Sequence, residues 1–131
     1  MTTSRHISIG IARPAAEVYD YAADPASLAE WAPGLGHTVE RVDGRWYVQT
    51  PGGRARLDFA PRNGFGVLDH TVYPPGSEPV YVPLRVLAAP DGCEVVFTLR
   101  RAPGMTDAEL DRDAELVGAD LARLKRIAES R

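Results

Sequence analysis

The most regular pattern of apolar positions in the chain lies between residues 110 and 128. Apolar side chains recur there at alternating steps of four and three, at Leu110, Ala114, Val117, Leu121, Leu124 and Ala128. This spacing places them on one face of an α-helix. Thr106 and Glu109 have the spacing of a capping box, which specifies where a helix begins. The pattern predicts a helix over 106–130 whose apolar face packs on another element.

A second pattern, with period two, opens the chain. Ile7, Ile9 and Ile11 alternate with polar or small residues, which predicts a half-buried strand over 6–11. Pro14 suits the first turn of a helix, and good helix formers follow it up to Tyr21. Another short helix is predicted over 25–31, where Pro33 then prevents its continuation. Two short helices should therefore follow the first strand.

The middle of the chain alternates between turn signals and segments rich in Val, Leu, Tyr, Phe and Thr. Pairs such as Asp43-Gly44 and Asp91-Gly92 are typical of hairpins. They separate predicted strands at 37–42, 45–50, 54–60, 65–73, 80–88 and 94–101. Strands joined consecutively should pair antiparallel in a meander. The long helix would cover one face of this sheet, so the predicted fold class is α+β.

Composition narrows the class of protein further. With 131 residues the chain, 1–131, is predicted to form one domain. The net charge of −3 disfavours nucleic acid as a partner, and no apolar run is long enough for membrane insertion. One cysteine and three scattered histidines give neither an internal disulfide nor a metal-ligand spacing, and no cofactor is predicted. We expect a cytoplasmic protein that is a monomer or a homodimer.

Several stretches resemble one known superfamily. The run ISIGIARPAAEVYDY at 7–21 is similar to the start of SRPBCC proteins, which include the START, Bet v 1-like and polyketide cyclase/dehydrase types. The resemblance continues at 23–25, 31–34, 66–70, 95–99, 103–107 and 120–125. It implies a helix-grip fold, in which a seven-stranded antiparallel sheet curls around the C-terminal helix. Two short helices would close one end of a cavity, which in this superfamily takes lipids, hormones or polyketides.

Three residues are candidates for catalysis. His70 alternates with Leu68 and is either an acid or base in the cavity or a histidine held within the sheet, while Asp69 would face outward. Tyr81 and Arg85 are four apart on a predicted strand, about 13 Å from each other, so they cannot share one atom. They would hold two ends of a ligand or, because the alternate positions are more apolar, Arg85 would face solvent.

Ligand-binding candidates are the apolar and aromatic residues expected to face the helix from the sheet, or the sheet from the helix. They are Trp31, Trp46, Phe59, Leu68, Leu84, Phe97, Val117, Gly118 and Leu121. Trp31 is expected at the cavity mouth from the resemblance. A glycine at position 118 lowers helix propensity, and it either leaves room for a ligand or allows another element to approach closely.

Three functions remain open from the sequence. The first is binding of a hydrophobic, lipid- or polyketide-like molecule in a cavity between the sheet and the last helix. The second is a polyketide cyclase, aromatase or dehydratase that uses acid–base chemistry in that cavity. The third is an interaction protein whose core is completely filled. An apolar lining would favour a carrier, whereas two or more converging titratable side chains would favour catalysis.

Overall fold

The computed structural model describes residues 4–33, 38–50 and 52–131, which form eight strands and three α-helices. The strands are β1 (Ser4–Ile11), β2 (Val39–Val42), β3 (Arg45–Thr50), β4 (Gly53–Phe59), β5 (His70–Tyr73), β6 (Val80–Val82), β7 (Leu84–Ala89) and β8 (Gly92–Arg100). The helices are α1 (Ala15–Ala22), α2 (Leu28–Trp31), which a 3-10 turn (Pro25–Ser27) precedes, and α3 (Asp107–Glu129). His37, where a strand was predicted to begin, lies outside the described residues. The α+β class is confirmed.

The strands form two antiparallel sheets. One has the order β1-β8-β7 and the other the order β2-β3-β4-β5-β6. The five-stranded sheet is a consecutive meander, as the turn signals predicted, but the predicted meander had six strands, and its last strand, 94–101, belongs to the other sheet as β8. The prediction of a single seven-stranded sheet curled around the helix is not confirmed, because the described residues contain eight strands divided between two sheets.

Pro83 explains why the described residues contain eight strands where seven were predicted. The segment predicted as one strand over 80–88 is two strands, β6 and β7, which belong to different sheets. Proline has no backbone N–H and cannot donate to a ladder of strand hydrogen bonds. The chain therefore leaves the five-stranded sheet at Pro83 and enters the three-stranded sheet at Leu84.

The sheets also meet through the residues that precede β5. The segment predicted as a strand over 65–73 is regular only from His70 onward. Its first half pairs with β7 instead, where Leu68 donates its N–H to the Leu84 carbonyl and Gly66 accepts from Val86, each at 2.8 Å. Gly66 has a φ of +73°, and a Cβ built there would lie 2.1 Å from the Val86 carbonyl oxygen. This crossing therefore requires glycine.

The long helix begins and ends where the sequence pattern predicted. Thr106 caps α3, and its side chain accepts from the Glu109 N–H at 3.1 Å while Glu109 accepts from the Thr106 N–H at 2.9 Å. Both bonds of the capping box are thus present. Four of the six predicted apolar positions are buried, and the other two, Ala114 and Val117, are partly buried. No helix of the described residues is long and apolar enough to cross a membrane.

A hydrophobic core lies between the helices and the strands. The helix α3 contacts β1, β8, α1 and α2, and its buried residues Leu121 and Leu124 belong to the same cluster as Val48 of β3 and Leu57 of β4. On β4, Arg54 and Asp58 are exposed while Ala55 and Leu57 are buried. The core therefore takes side chains from both sheets.

Replacing Gly66 with alanine should destabilise the protein by at least about 2 kcal/mol, because the new Cβ meets a backbone oxygen and the residue keeps a positive φ. Gly118→Ala is the matched control: a Cβ at Gly118 meets nothing within 4 Å, so the higher helix propensity of alanine should stabilise by up to about 1 kcal/mol. Urea denaturation of both variants measures these changes. Unchanged stability of Gly66→Ala would contradict the proposed crossing.

Candidate ligand-binding site

A cavity of about 260 Å³ lies where α3 faces α2 and the strands β5, β6 and β8. Most of its lining is apolar, with three titratable side chains among the apolar ones. The lining residues are Leu28, Trp31, Ala32, His70, Val82, Phe97, Leu99, Asp113, Leu116, Val117, Asp120 and Leu121. The position between the last helix and the sheets is the one that the resemblance implied.

The residues that line the cavity differ in burial, and this difference distinguishes the floor of the cavity from its rim. Leu28, Trp31 and Leu121 are almost completely buried and form part of the floor. Leu116 is 52 % exposed, so the cavity opens to solvent beside it on α3. Trp31 donates its indole N–H to Ser27 Oγ at 3.2 Å, which fixes the ring through the 3-10 turn before α2. An apolar molecule can therefore enter past α3 and contact an ordered floor.

Four of the nine ligand-binding candidates line this cavity: Trp31, Phe97, Val117 and Leu121. The other five do not. Leu68 and Leu84 belong to the buried core, Trp46 and Phe59 pack against that core, and Gly118 has open space around it. The expectation that Gly118 allows a close approach of another element is wrong, because nothing lies within 4 Å of the Cβ position.

His70 lies in the cavity wall and is 3 % exposed. Its Nδ1 is 3.0 Å from the Leu68 carbonyl oxygen, and its ring stacks on Phe59 with centroids 4.8 Å apart. Burial lowers the pKa of His70, because the charged imidazolium loses its hydration. The ring is thus bonded within the sheet and also lines the cavity, while its role as an acid or base stays a prediction.

Two acidic residues of the cavity are absent from the sequence-based candidates. Asp113 and Asp120 both line it from α3. The side chain of Asp120 is 16 % exposed, and burial raises the pKa of Asp120 to about 6 although Arg123 lies 3.6 Å away. The sequence indicates their position through their spacing. Asp113 lies four residues before Val117 and Asp120 three residues after it, so on a helix both adjoin the apolar face.

Tyr81 and Arg85 do not line this cavity. Both donate to the carboxylate of Asp69: the Tyr81 hydroxyl lies 2.6 Å from Oδ2, and Arg85 donates from Nε to Oδ1 and from Nη2 to Oδ2, each at 2.8 Å. The backbone N–H of Leu84 donates to Oδ1 at 2.9 Å. This set of four donors around one carboxylate is called the Asp69 cluster below.

The Asp69 cluster corrects two expectations from the sequence. Asp69 was expected to face solvent but is only 5 % exposed, because the side chains of Tyr81 and Arg85 cover it. Tyr81 and Arg85 were expected not to share an atom, yet both donate to Asp69 Oδ2. The expected separation assumed one continuous strand, and the break at Pro83 removes that assumption. Arg85 is half exposed, as its alternation with apolar residues favoured.

A wider groove of about 700 Å³ lies on the surface between α1, α2 and the end of α3. Most of its lining residues are polar or charged. Tyr21 donates to Glu30, and Arg13 donates to the Glu129 carbonyl at 2.8 Å. Burial and the neighbouring Glu30 raise the pKa of Tyr21. Because its lining residues are mainly polar and charged, this groove is a weaker candidate for an apolar ligand than the smaller apolar cavity.

Comparisons with known proteins identify the fold. A scan against protein-family models finds no match, and a search of curated proteins finds none either. Solved structures do match: the Aha1 dimer from Colwellia psychrerythraea superposes with a TM-score of 0.76 at 14% identity, covering 98% of this chain and 97% of that one. Ara h 8.0201 gives 0.69 at 14% identity, with 98% of each chain covered.

A third structural match is DynU16, a protein of the dynemicin biosynthetic locus. It gives a TM-score of 0.73 at 16% identity and covers 98% of this chain, which spans about half (48%) of DynU16. Identities this low establish the fold alone. The chain therefore has a Bet v 1-like fold, and the resemblance to the SRPBCC superfamily is confirmed at that level.

Asp69→Asn should lower the free energy of unfolding by about 2 kcal/mol at pH 7, since the buried acceptor of four donors loses its charge. Arg85 and Tyr81 hold the pKa of Asp69 well below its usual range, although burial opposes them. This stabilisation is present above the pKa of the unfolded chain and is lost as pH falls below about 4.

Urea denaturation of the wild-type protein and Asp69→Asn at pH 7 and pH 3 tests this dependence. The difference between them should shrink at the lower pH. Asp58→Asn is the matched control, because Asp58 is exposed and its pair with Arg56 at 3.4 Å lies on the surface, so its effect should stay below about 0.5 kcal/mol. Equal effects of the two variants would show that the cluster adds no stability.

Proposed function

We propose that this protein binds a small, largely apolar molecule in the cavity beneath α3. The supporting observation is the cavity itself: about 260 Å³ of space lined mainly by buried apolar and aromatic side chains and open at Leu116. Apolar pockets with a few placed polar groups are typical of small-molecule sites. The space also argues against an interaction protein with a completely filled core.

The size of the cavity limits the ligand. Sites for drug-sized molecules usually have volumes of about 300–1,000 Å³, and this cavity of about 260 Å³ is just below that range. A molecule of one to three rings fits better than a complete lipid or an extended polyketide chain. Trp31 and Phe97 offer flat faces for such rings. The occurrence of DynU16 in a biosynthetic locus is compatible with an aromatic ligand but does not identify one.

Val117→Trp should abolish binding of the neutral apolar probe N-phenyl-1-naphthylamine, because an indole at this partly buried position would occupy the cavity. The wild-type protein should enhance the fluorescence of the probe with saturation. Ala119→Trp is the matched control, since Ala119 is exposed on the same helix and the probe should still bind. Saturable binding that survives Val117→Trp would contradict this site, and no binding to the wild-type protein would contradict the function.

A second candidate function is acid–base catalysis, which one observation favours. His70 and Asp120 line the same cavity, and burial shifts the pKa of His70 downward and that of Asp120 up to about 6. Opposite shifts of this kind are common in acid–base pairs of enzymes. His70 Nε2 would take a proton from the carbon beside a ligand carbonyl, and protonated Asp120 would donate to the resulting enolate oxygen. Tyr81 and Arg85, the other catalytic candidates, bond Asp69 instead.

Hydrogen–deuterium exchange at the carbon beside the carbonyl of 2-tetralone in D₂O, followed by NMR, tests catalysis separately from binding. An enzyme should accelerate the exchange, and the rate should fall as pH rises through about 6 because Asp120 ionises. Asp120→Asn should lower the rate at least about tenfold, and Val117→Trp should remove the catalysis. An exchange rate equal to that in buffer would leave the binding function alone.

A further inference from the structure

The titratable side chains of the cavity have one property in common: each of them can accept a hydrogen bond from a ligand. Three of the twelve lining side chains are titratable, namely His70, Asp113 and Asp120. No arginine or lysine is among the described residues that line the cavity. A ligand that enters therefore meets lone pairs and negative charge, and it finds no cationic partner in the lining.

The hydrogen bonds of His70 determine which of its nitrogens faces the ligand as an acceptor. A backbone carbonyl can only accept, so the contact of 3.0 Å to Leu68 places the imidazole proton on Nδ1. In the neutral ring Nε2 then carries a lone pair. No hydrogen bond of Nε2 occurs among the described residues, and His70 lines the cavity. An acceptor at the cavity surface without a protein partner can accept a hydrogen bond from a ligand that donates.

The rim adds negative charge. Asp113 and Asp120 are seven residues apart on α3, about 10 Å along the helix, so they flank the opening beside Leu116. The side chain of Asp120 is 16 % exposed. Its own cationic neighbour, Arg123, is 3.6 Å away, which is too long for a strong hydrogen-bonded pair. A cation from the ligand would therefore find Asp120 incompletely neutralised.

We propose that the cavity selects a small aromatic amine: the ring lies against Trp31 and Phe97, a ring N–H or O–H donates to His70 Nε2, and the ammonium group pairs with Asp120. This selectivity rests on the proposed binding function and names its ligand class. A carboxylate of the same shape is rejected, because it would bring a negative charge to two aspartates.

Four indoles of nearly equal size test the selectivity by calorimetry at pH 7. Tryptamine carries both donors, 1-methyltryptamine lacks the ring N–H, tryptophol replaces the ammonium group by a neutral hydroxyl, and indole-3-acetate carries a carboxylate. Tryptamine should bind at least about tenfold more tightly than indole-3-acetate, with tryptophol between them. Methylation of the ring nitrogen should weaken binding several-fold, because Nε2 again lacks a partner.

Variants assign each preference to a residue. Asp120→Asn keeps the shape of the side chain and should remove the difference between tryptamine and tryptophol. His70→Phe should remove the difference between tryptamine and 1-methyltryptamine. Because His70 is buried, its variant is accepted only if circular dichroism and binding of the neutral probe show an intact fold. Asp113→Asn should reduce tryptamine affinity less than Asp120→Asn does, because Asp113 has no assigned contact to the ligand.

The outcomes separate the selectivity from the binding function. Indole-3-acetate that binds as tightly as tryptamine and is blocked by Val117→Trp would overturn the selectivity and keep the cavity. The same holds if the neutral probe binds and no indole does. If neither the probe nor any indole binds, the proposed function itself fails. Tryptamine binding that is unchanged in Asp120→Asn would overturn the assigned ammonium site.

Discussion

The buried carboxylate of Asp69 holds the place where the two sheets meet. Pro83 ends one strand and cannot donate, and the next backbone N–H, of Leu84, donates to Asp69. Tyr81 before the break and Arg85 after it bond the same carboxylate. One acceptor thus fixes the chain on both sides of the break. A buried charge would be unfavourable alone, and the four donors and the cation compensate for it.

This arrangement also positions the cavity. Asp69 and His70 are neighbours on the chain, so their side chains point to opposite sides of the backbone. Fixing Asp69 against Tyr81 and Arg85 turns His70 toward α3, where its Nδ1 is held by the Leu68 carbonyl. The His70 imidazole in the cavity wall is consequently held in one orientation. A ligand does not need to order the imidazole, and the entropy of that ordering does not reduce its affinity.

How far the sequence predicted the molecule depended on whether the signal was local. The capping box and the apolar spacing of α3 depend on residues within a few positions of one another, and both predictions were confirmed. Turn pairs likewise predicted an antiparallel meander, although with six strands instead of the five that the structure shows. The division into two sheets, the burial of Asp69 and the enclosure of Asp120 depend on partners distant in sequence, and alternation along a strand does not reveal them. Pro83 was the available local signal for the division, since proline interrupts ladders.

The pairing of β1 with β8 affects how the chain reaches its fold. Their register joins Ser4 to Arg100 and Ile11 to Cys93, so the first strand pairs with the last. The chain between these two strands contains all the remaining described strands, β2 to β7. Contacts so far apart in sequence raise the relative contact order and slow folding. During synthesis the isoleucine-rich β1 leaves the ribosome long before β8, and until then its apolar face is open to other chains and to chaperones.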